Sequence, residues 1–297
     1  DLFFPRGVKE KLPVVLIRTP YNKKSYRKKE SVAYFFAQQG YIVAVQDTRG
    51  RFESEGNFTI SYPDVEDGYD TTQWVATQPW STGKVGTYGC SYGGDVQIMQ
   101  AKARNPHLTA MIPQAAFSCI PHRGFGVLNG GAIELVNGVE WFRGMGSKVF
   151  LRPPPGAPDD FYVRLGEYFN PAPTNFSKIN PHELWRTLPL IDMLKKAGGP
   201  PTDYERVVSS SPADPWWLEL GYLTDTDQFD VPALHVSSWY DYGPAESLYQ
   251  FNLMRKNAIS ERGRDNQFII VSPTAHCGSE KATEQTILGE LNLGDAR

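Results

Sequence analysis

Hydrophobic residues along the chain cluster into short runs that are separated by more polar segments. Residues 12–18 and 41–46 form the first two runs, and each ends at a polar turn. Apolar runs of this length without polar alternation are typical of strands buried on both faces of a parallel sheet. Further strands are predicted at residues 83–88, 108–114, 231–239 and 267–271.

Segments between these strands carry apolar residues at helical spacing. Residues 28–39 contain Val32, Phe35 and Phe36 at such positions and stop at Gly40. Residues 64–77 begin with several acidic side chains, which the positive end of a helix dipole favours. Further helices are predicted at residues 94–104 and 245–256.

The alternation of strands and helices predicts an α/β fold with a doubly wound, mostly parallel sheet, which binds ligands at the carboxyl ends of its strands. Residues 118–228 break this rhythm with Gly-rich turns and Pro-containing breaks, and contain no buried-strand run. Helix-like pieces in this region lie near residues 131–150, 159–168, 181–197 and 202–209. We therefore predict a first core part at 1–117, a helical cap insertion at 118–228 and a second core part at 229–297.

Composition and charge exclude several classes of partner. The 297 residues are 40% hydrophobic and 21% charged, as in ordinary soluble globular proteins. A net charge of -3 gives no electrostatic reason to expect a nucleic acid or an anionic membrane surface. No apolar run approaches the ~18 residues that a membrane span needs. We expect a small-molecule ligand, and a homo-oligomer is left open.

The three cysteines, Cys90, Cys119 and Cys277, have no metal-site spacing and predict no disulfide framework. No metal is therefore expected. A low, odd number of cysteines favours a reducing compartment, although secreted enzymes with few cysteines are common. The chain starts at Asp1 without a Met, so an upstream signal segment stays open and the localisation, cytoplasmic or secreted, is left unassigned.

The stretch Gly89-Cys90-Ser91-Tyr92-Gly93 has the G-x-S-x-G spacing of a nucleophile elbow. A serine in this motif lies on a tight strand-to-helix turn with its hydroxyl clear of the backbone. The two glycines are needed because side chains there would collide with the neighbouring strand and helix. A strand is predicted before Ser91 and a helix after it, so Ser91 is the candidate nucleophile, and Cys90 is assigned no catalytic role.

A serine hydroxyl is a poor nucleophile unless a histidine accepts its proton and an acid holds that imidazole. Of the five histidines, His276 alone follows a late buried strand, at the sheet edge where Ser91 emerges. The other four are interpreted as structural or solvated: His107, His122, His182 and His235.

Asp241 is the candidate acid because it follows the strand before the one that leads to His276. The order Ser91, Asp241, His276 is that of an α/β-hydrolase triad. The alternative interpretation of Asp241 is a turn or helix-capping residue before Pro244. Three other aspartates precede the strand and would lie at its opposite end: Asp225, Asp227 and Asp230.

Acyl transfer also needs hydrogen-bond donors aimed at the developing oxyanion. The backbone N–H of Tyr92, directly after the candidate nucleophile, is one candidate. The second donor is expected from the loop after an early strand, residues 18–22, where Tyr21 could equally be a packing aromatic.

Several motifs together resemble those of the X-Pro dipeptidyl-peptidase-like hydrolases, also called the peptidase S15 or CocE/NonD family. They extend over residues 18–276. They are Arg18-Thr19-Pro20-Tyr21, Gln46-Asp47-Thr48-Arg49-Gly50-Arg51, Asp67-Gly68-Tyr69-Asp70-Thr71, Gln78-Pro79-Trp80 with Gly83-Lys84-Val85-Gly86, the elbow with Ser91-Tyr92, and Trp239-Tyr240-Asp241. The resemblance implies an α/β-hydrolase fold without a metal or organic cofactor.

The resemblance also assigns roles to residues. It implies a Ser91, Asp241 and His276 triad, an oxyanion hole formed by the Tyr21 hydroxyl and the Tyr92 N–H, and a cap formed by residues 118–228. The family usually has earlier strands and a C-terminal jelly-roll domain, which this chain lacks. We therefore expect a fragment, or a protein whose missing parts are supplied elsewhere.

The predicted function is a serine hydrolase of esterase or acylase type that forms a covalent acyl-enzyme with a small ester, amide or short-peptide substrate. An X-Pro dipeptidyl aminopeptidase is the first alternative. It needs carboxylates for a peptide amino terminus, for which Asp159, Asp160 and Glu167 are candidates. A catalytically silent α/β-hydrolase that serves as a binding scaffold is the second alternative. The sequence does not distinguish the possible acyl and leaving groups.

Overall fold

The computed structural model of the chain describes residues 1–125, 128–129, 132–149, 154–158, 161, 180–279 and 282–296. The strands in these ranges are β1 (Leu2–Phe3), β2 (Leu12–Thr19), β3 (Ile42–Asp47), β4 (Ser81–Cys90), β5 (Leu108–Gln114), β6 (Leu128–Asn129), β7 (Ala132–Ile133), β8 (Ala233–Tyr240), β9 (Gln267–Ala275), β10 (Ile287–Leu288) and β11 (Leu291–Asn292). The helices are α1 (Val32–Gln38), α2 (Asp64–Ala76), α3 (Tyr92–Ala101), α4 (Leu135–Met145), α5 (Pro181–Leu184), α6 (Met193–Lys196), α7 (Tyr204–Ser209), α8 (Trp216–Glu219), α9 (Pro244–Lys256) and α10 (Glu261–Asp265).

Seven strands form the central sheet in the order β1-β3-β2-β4-β5-β8-β9. All neighbouring strands are parallel except β1, which pairs antiparallel with β3. The predicted α/β fold with a mostly parallel sheet is therefore confirmed. Because the parallel strands share one direction, the residues after β4, β8 and β9 emerge at the same edge of the sheet.

The apolar runs of β2 and β3 are continuous because both faces of the sheet are covered. Val14 and Leu16 pack in one cluster with Val75 of helix α2. The alternate residues Val15 and Ile17 pack in a second cluster, which contains residues of α1. Side chains along a strand point alternately to its two faces, so each helix layer buries every second residue. Full burial of an aliphatic side chain of this kind contributes about 1.5–3 kcal/mol.

Some element boundaries differ from those predicted. Helix α1 begins at Val32 rather than near residue 28, because a short 3-10 helix, Lys23–Arg27, capped by the Asn22 side chain, precedes it. Strand β9 continues four residues past the predicted end at residue 271, because its pairing with β8 continues through Ser238–Ser272 to Tyr240–Ala275 although the apolar run has ended. Strand β1 was not predicted, since two residues are too short for a periodic pattern.

Helices dominate the described residues between β5 and β8, where the cap was predicted. They bury large side chains, among them Phe142, Tyr204 and Trp217, in one cluster with residues of α3. The predicted helix at 181–197 consists of α5, a short 3-10 helix (Leu190–Asp192) and α6. The piece predicted at 159–168 lies outside the described residues, apart from residue 161. Each helix in the described part of the chain is too short, or not apolar enough, to cross a membrane.

Candidate active site

Ser91 occupies the turn between β4 and α3 with φ 61° and ψ -127°. A positive φ is unfavourable for a residue with a Cβ, at a cost of about 1–3 kcal/mol, so the surrounding structure must hold it. The Ser91 N–H donates to the Gln114 carbonyl at 3.0 Å, and the N–H groups of Gly94 and Asp95 donate to the Ser91 carbonyl at 2.7 and 2.9 Å. Ser91 therefore occupies a strand-to-helix turn, as the G-x-S-x-G spacing predicts.

The glycines around Ser91 permit close backbone approach to different degrees. A Cβ at Gly89 would lie 2.8 Å from the Gly93 carbonyl oxygen, whereas one at Gly93 would lie 3.3 Å from the Arg18 carbonyl oxygen. The tightest position is Gly94, where a Cβ would lie 2.4 Å from the carbonyl oxygen of Gln114. The residue that most limits how α3 packs on the sheet therefore lies just outside the five-residue motif.

Asp241 and His276 follow β8 and β9 and are in direct contact. Both carboxylate oxygens of Asp241 lie 2.9 Å from Nδ1 of His276. The Asp241 side chain is fully buried, and it also accepts the Tyr242 backbone N–H at 2.8 Å. A carboxylate at Nδ1 holds the proton on that nitrogen and leaves Nε2 as an acceptor. The rings of Phe117 and Tyr242 pack against the imidazole at centroid distances of 5.7 and 5.0 Å.

Ser91, His276 and Tyr21 line one cavity of about 580 Å³. The Ser91 hydroxyl lies 3.4 Å from the Tyr21 hydroxyl. Among the described residues, no hydrogen bond joins Ser91 Oγ to the imidazole of His276. Such contacts are often long before a substrate binds and shorten only in the reacting complex.

Tyr21 lies on the loop after β2, where a second oxyanion donor was expected. Its hydroxyl accepts a hydrogen bond from Nε1 of Trp141, in helix α4, at 3.2 Å. Burial raises the pKa of Tyr21, and hydrogen bonds with Ser91, Trp141 and the Tyr92 backbone only partly oppose this. The phenol therefore keeps its proton at neutral pH and can donate a hydrogen bond at the Ser91 hydroxyl.

The Tyr92 side chain is buried and held by hydrogen bonds from and to its hydroxyl. Its hydroxyl donates to Asp64 at 2.6 Å and accepts the Ser61 backbone N–H at 2.8 Å. Asp64 is in turn paired with Arg18 at 2.8 Å, and both side chains are buried. Since this network engages the hydroxyl, the group of Tyr92 that can act on a substrate is the backbone N–H.

Two further features of the cavity were missed by the sequence analysis. Asp95, one turn after Ser91, accepts the Ser118 backbone N–H at 3.0 Å, and burial raises the pKa of Asp95 to about 7. Glu140 forms an ion pair with Arg143 on the cavity wall, and its Oε1 is buried without a hydrogen-bond partner among the described atoms. The sequence signal for Asp95 was that it is the one acidic residue of the predicted helix 94–104.

Arg123 is buried next to the loop that carries Asp241. It donates to Glu134 at 2.8 Å and to the Tyr242 carbonyl at 2.9 Å. Its Nε lies 3.6 Å from Glu246 of α9. This single guanidinium therefore joins residues before α4 to the residue that follows Asp241.

A disulfide joins Cys90 to Cys277, with their Cα atoms 5.9 Å apart. The prediction of no disulfide framework is wrong. The pairing was missed because the two residues are separated by 187 positions and come together only in the folded chain. Cys119 is free and buried. Because disulfides persist mainly in oxidising compartments, the cysteines no longer favour a reducing one.

The other sequence candidates that the structure describes lie away from the cavity walls. Asp225, Asp227 and Asp230 contact Tyr249, Lys102 and Ser260, respectively. The remaining histidines contact Gly83 (His107), Glu246 (His122), Trp185 (His182) and Gln267 (His235). Asp159, Asp160 and Glu167 lie outside the described residues.

A serine at a strand-to-helix elbow, on a mostly parallel sheet whose later strands present an aspartate and a histidine, defines an α/β-hydrolase fold. Residues 1–278 match the family model of the X-Pro dipeptidyl-peptidase (S15 family). The chain therefore belongs to this hydrolase family, as the sequence motifs predicted.

Known relatives are consistent with this assignment. The chain is 28% identical over 270 residues to the cocaine esterase of Rhodococcus sp. (strain MB1 Bresler). The aligned region covers 89% of this chain and 44% of that esterase. Among solved structures, an aminopeptidase from the marine sediment archaeon Thaumarchaeota archaeon has a TM-score of 0.67 at 22% identity, over 99% of this chain and 48% of that one. An α-amino acid ester hydrolase has a TM-score of 0.66 at 21% identity over the same shares, 99% and 48%. The chain thus spans about half the length of the relatives it matches.

Proposed function

We propose that the protein is a serine hydrolase that cleaves acyl ester or amide bonds through a covalent acyl-enzyme. Ser91 is the nucleophile, His276 is the general base and acid, and Asp241 holds the imidazole. The observation that carries the proposal is the contact of both Asp241 oxygens with His276 Nδ1, at 2.9 Å, on the cavity that the Ser91 turn also lines. A catalytically silent scaffold would have no need for this arrangement.

The reaction begins when Ser91 Oγ attacks the substrate carbonyl carbon and its proton passes to Nε2 of His276. The carbonyl π electrons move to the oxygen, which the Tyr92 N–H and the Tyr21 O–H stabilise. The bond to the leaving group then breaks, and the imidazolium protonates that group as it departs. Water attacks the acyl-enzyme by the same steps, and Ser91 recovers its proton.

The cavity supports a small-molecule acyl ester as the substrate class. Its volume of about 580 Å³ lies within the range of about 300–1,000 Å³ that is typical of small-molecule sites. Its aromatic walls include Phe117, Phe125, Trp141 and Tyr242. We propose that residues 118–228 form a cap over the sheet, because Phe125 and Trp141 come from this region and face the cavity.

Labelling with a fluorophosphonate probe tests the proposal directly. The folded wild-type chain should form one adduct, and Ser91→Ala should abolish it. The matched control is Ser209→Ala, which replaces an exposed serine on α7 and should label like the wild type. A folded wild-type protein without an adduct, or an adduct that persists in Ser91→Ala, would contradict the proposal.

A substrate panel tests the proposed class. Simple acyl esters, α-aminoacyl esters, glutaryl amides and X-Pro anilides should be compared by kcat/KM. We expect the highest values for acyl esters, whereas a preference for X-Pro anilides would favour the dipeptidyl-peptidase alternative. His276→Ala should lower kcat with every active substrate by at least about 10³-fold.

A further inference from the structure

The disulfide connects the two segments that carry the proposed nucleophile and the proposed base. Cys90 directly precedes Ser91, and Cys277 directly follows His276. In the sheet, β5 and β8 separate β4 from β9. Adjacent strands are about 4.8 Å apart, so three intervals correspond to about 14 Å. A Cα–Cα distance of 5.9 Å between the cysteines therefore requires the segment after β9 to fold back across the ends of β8 and β5.

The segment that carries His276 has few other contacts with the elbow. In the sheet formed by the described residues, β9 is an edge strand and pairs with β8 alone. After it, the Gly278 N–H donates to the Ala275 carbonyl at 2.9 Å, and Cys277 has a φ of 52°. Within the described part of the chain, no hydrogen bond runs from residues 275–278 to residues 89–92. The Ser279 hydroxyl lies 2.8 Å from that of Ser272, which ties the end of the turn to β9 and not to the elbow. Among the described residues, the S–S bond is thus the covalent link from the turn to the elbow.

The groups that contact the His276 imidazole itself lie after β8 and β5, not in the elbow. Asp241 lies after β8, with Tyr242 next to it, and Phe117 lies after β5. These groups orient the ring plane and hold Nδ1, but none of them belongs to the elbow. The distance between Nε2 and Ser91 Oγ therefore depends on how the whole segment is held against the elbow.

We propose that the Cys90–Cys277 disulfide positions His276 against Ser91 for proton transfer, in addition to stabilising the fold. The inference rests on the proposed serine hydrolase function. Without the crosslink, the imidazole should sample positions about 1 Å or more from the productive one, and a displacement of that size can lower the rate by about 10²-fold. Most of the cavity wall, including Trp141 and Phe125, comes from other segments, so substrate binding should change much less than turnover.

Replacement of both cysteines is the first test. Cys90→Ala/Cys277→Ala should lower kcat by about 10- to 100-fold and change KM by less than about 3-fold. The rate of Ser91 labelling by a fluorophosphonate should fall in the same proportion as kcat. Cys119→Ala, which removes the buried free thiol, is the matched control and should retain the wild-type kcat. Assays belong well below the lowest Tm of the set, because loss of the crosslink also lowers Tm.

Reduction of the wild-type protein is the second test, and it does not require the variant to fold. Dithiothreitol converts the S–S bond into two thiols and is itself oxidised to its cyclic disulfide. While far-UV circular dichroism is unchanged, kcat should fall as in the double variant and should recover on reoxidation. The double variant, if folded, should be indifferent to the reagent.

The outcomes separate the two proposals. An unchanged kcat after loss of the crosslink, with only Tm lowered, would mean that the disulfide stabilises the fold and positions nothing. If Ser91→Ala abolishes turnover in that same experiment, the proposed function stands and only the positioning role fails. If Ser91→Ala retains turnover, both proposals fail.

Discussion

Trp141 connects the helical region to the proposed oxyanion hole through a single hydrogen bond, from its Nε1 to the Tyr21 hydroxyl at 3.2 Å. Because this bond uses a lone pair of the Tyr21 oxygen, it does not consume the O–H proton, which Tyr21 can still donate. Trp141→Phe keeps an aromatic ring to pack near Tyr92 and Phe125 and removes the donor. One neutral hydrogen bond contributes about 0.5–1.5 kcal/mol, so kcat should fall by about 2- to 12-fold with little change in KM.

A double-mutant cycle on steady-state kcat provides the control for this prediction. Tyr21→Phe alone removes one proposed oxyanion donor and should lower kcat by about 10²–10³-fold. In that background Trp141→Phe should have almost no further effect, because the group it orients is gone. An equal loss in both backgrounds would mean that Trp141 acts through packing.

Among single residues, the sequence predicts those whose position follows from the end of a strand. Ser91, Asp241 and His276 were selected because each follows a buried run, and the structure brings all three to one edge of the sheet. Trp141 could not be selected in this way, since the region around it has no periodic pattern that fixes its position over the sheet. The pairing of Cys90 with Cys277 was missed for the same physical reason, because spacing in the sequence carries no information on it.

The packing of helix α3 on the sheet depends on Gly94 more than on the motif glycine Gly93. A Cβ at Gly94 would lie 2.4 Å from the Gln114 carbonyl oxygen, and one at Gly93 would lie 3.3 Å from that of Arg18. Gly94→Ala should therefore lower the free energy of unfolding by about 2–3 kcal/mol, and Gly93→Ala by about 1 kcal/mol or less. Urea unfolding of the two variants measures this difference, and equal destabilisation would contradict it.

Arg123 holds several elements together from a buried position, with 1% of its surface exposed. Arg123→Met would leave the carboxylates of Glu134 and Glu246 without their shared partner. Loss of one partner of a buried ion pair destabilises a protein by about 3–5 kcal/mol, so we expect a loss of that size in urea unfolding. Arg27→Met, which removes a partly exposed partner of Asp1, is the control and should cost at most about 1 kcal/mol. Similar losses in both variants would contradict the prediction.

Among the elements, the buried strands were predictable because double-sided burial leaves a continuous apolar run, as in β2 and β3. Boundaries were less predictable where local hydrogen bonds decide them. The 3-10 helix capped by Asn22 precedes the later start of α1, and backbone pairing with β8 carries β9 past its apolar run. The cap is a contact between near neighbours in the sequence that apolar periodicity does not show, whereas the pairing with β8 forms only on folding.

Two buried groups contribute to the pH dependence of the stability of the whole molecule with opposite proton linkage. Burial raises the pKa of Asp95 to about 7 from an ordinary value of 3.8. Burial lowers the pKa of His235 to about 4 from an ordinary value of 6.5. Between about pH 4 and 6.5 the folded protein therefore binds a proton at Asp95 that the unfolded chain lacks, and the unfolded chain binds one at His235 that the folded protein lacks.

The two contributions have opposite signs. Stability linked to Asp95 is present below its unfolded pKa and is lost as pH rises towards 7. Stability linked to His235 is present above its unfolded pKa and is lost as pH falls towards 4. Across the shared window they should nearly cancel, and one unbalanced proton corresponds to about 1.4 kcal/mol per pH unit.

Single variants should expose each contribution in turn. Asp95→Asn keeps an acceptor for the Ser118 N–H, and the free energy of its unfolding, relative to wild type, should increase by about 1.4 kcal/mol for each pH unit between about 4.5 and 6. His235→Gln keeps a polar partner for Gln267 and should show a slope of equal size and opposite sign. The double variant should recover the wild-type slope, because other carboxylates contribute equally to all four proteins. Urea unfolding across this range measures the slopes, and four identical slopes would show that neither group is linked to folding.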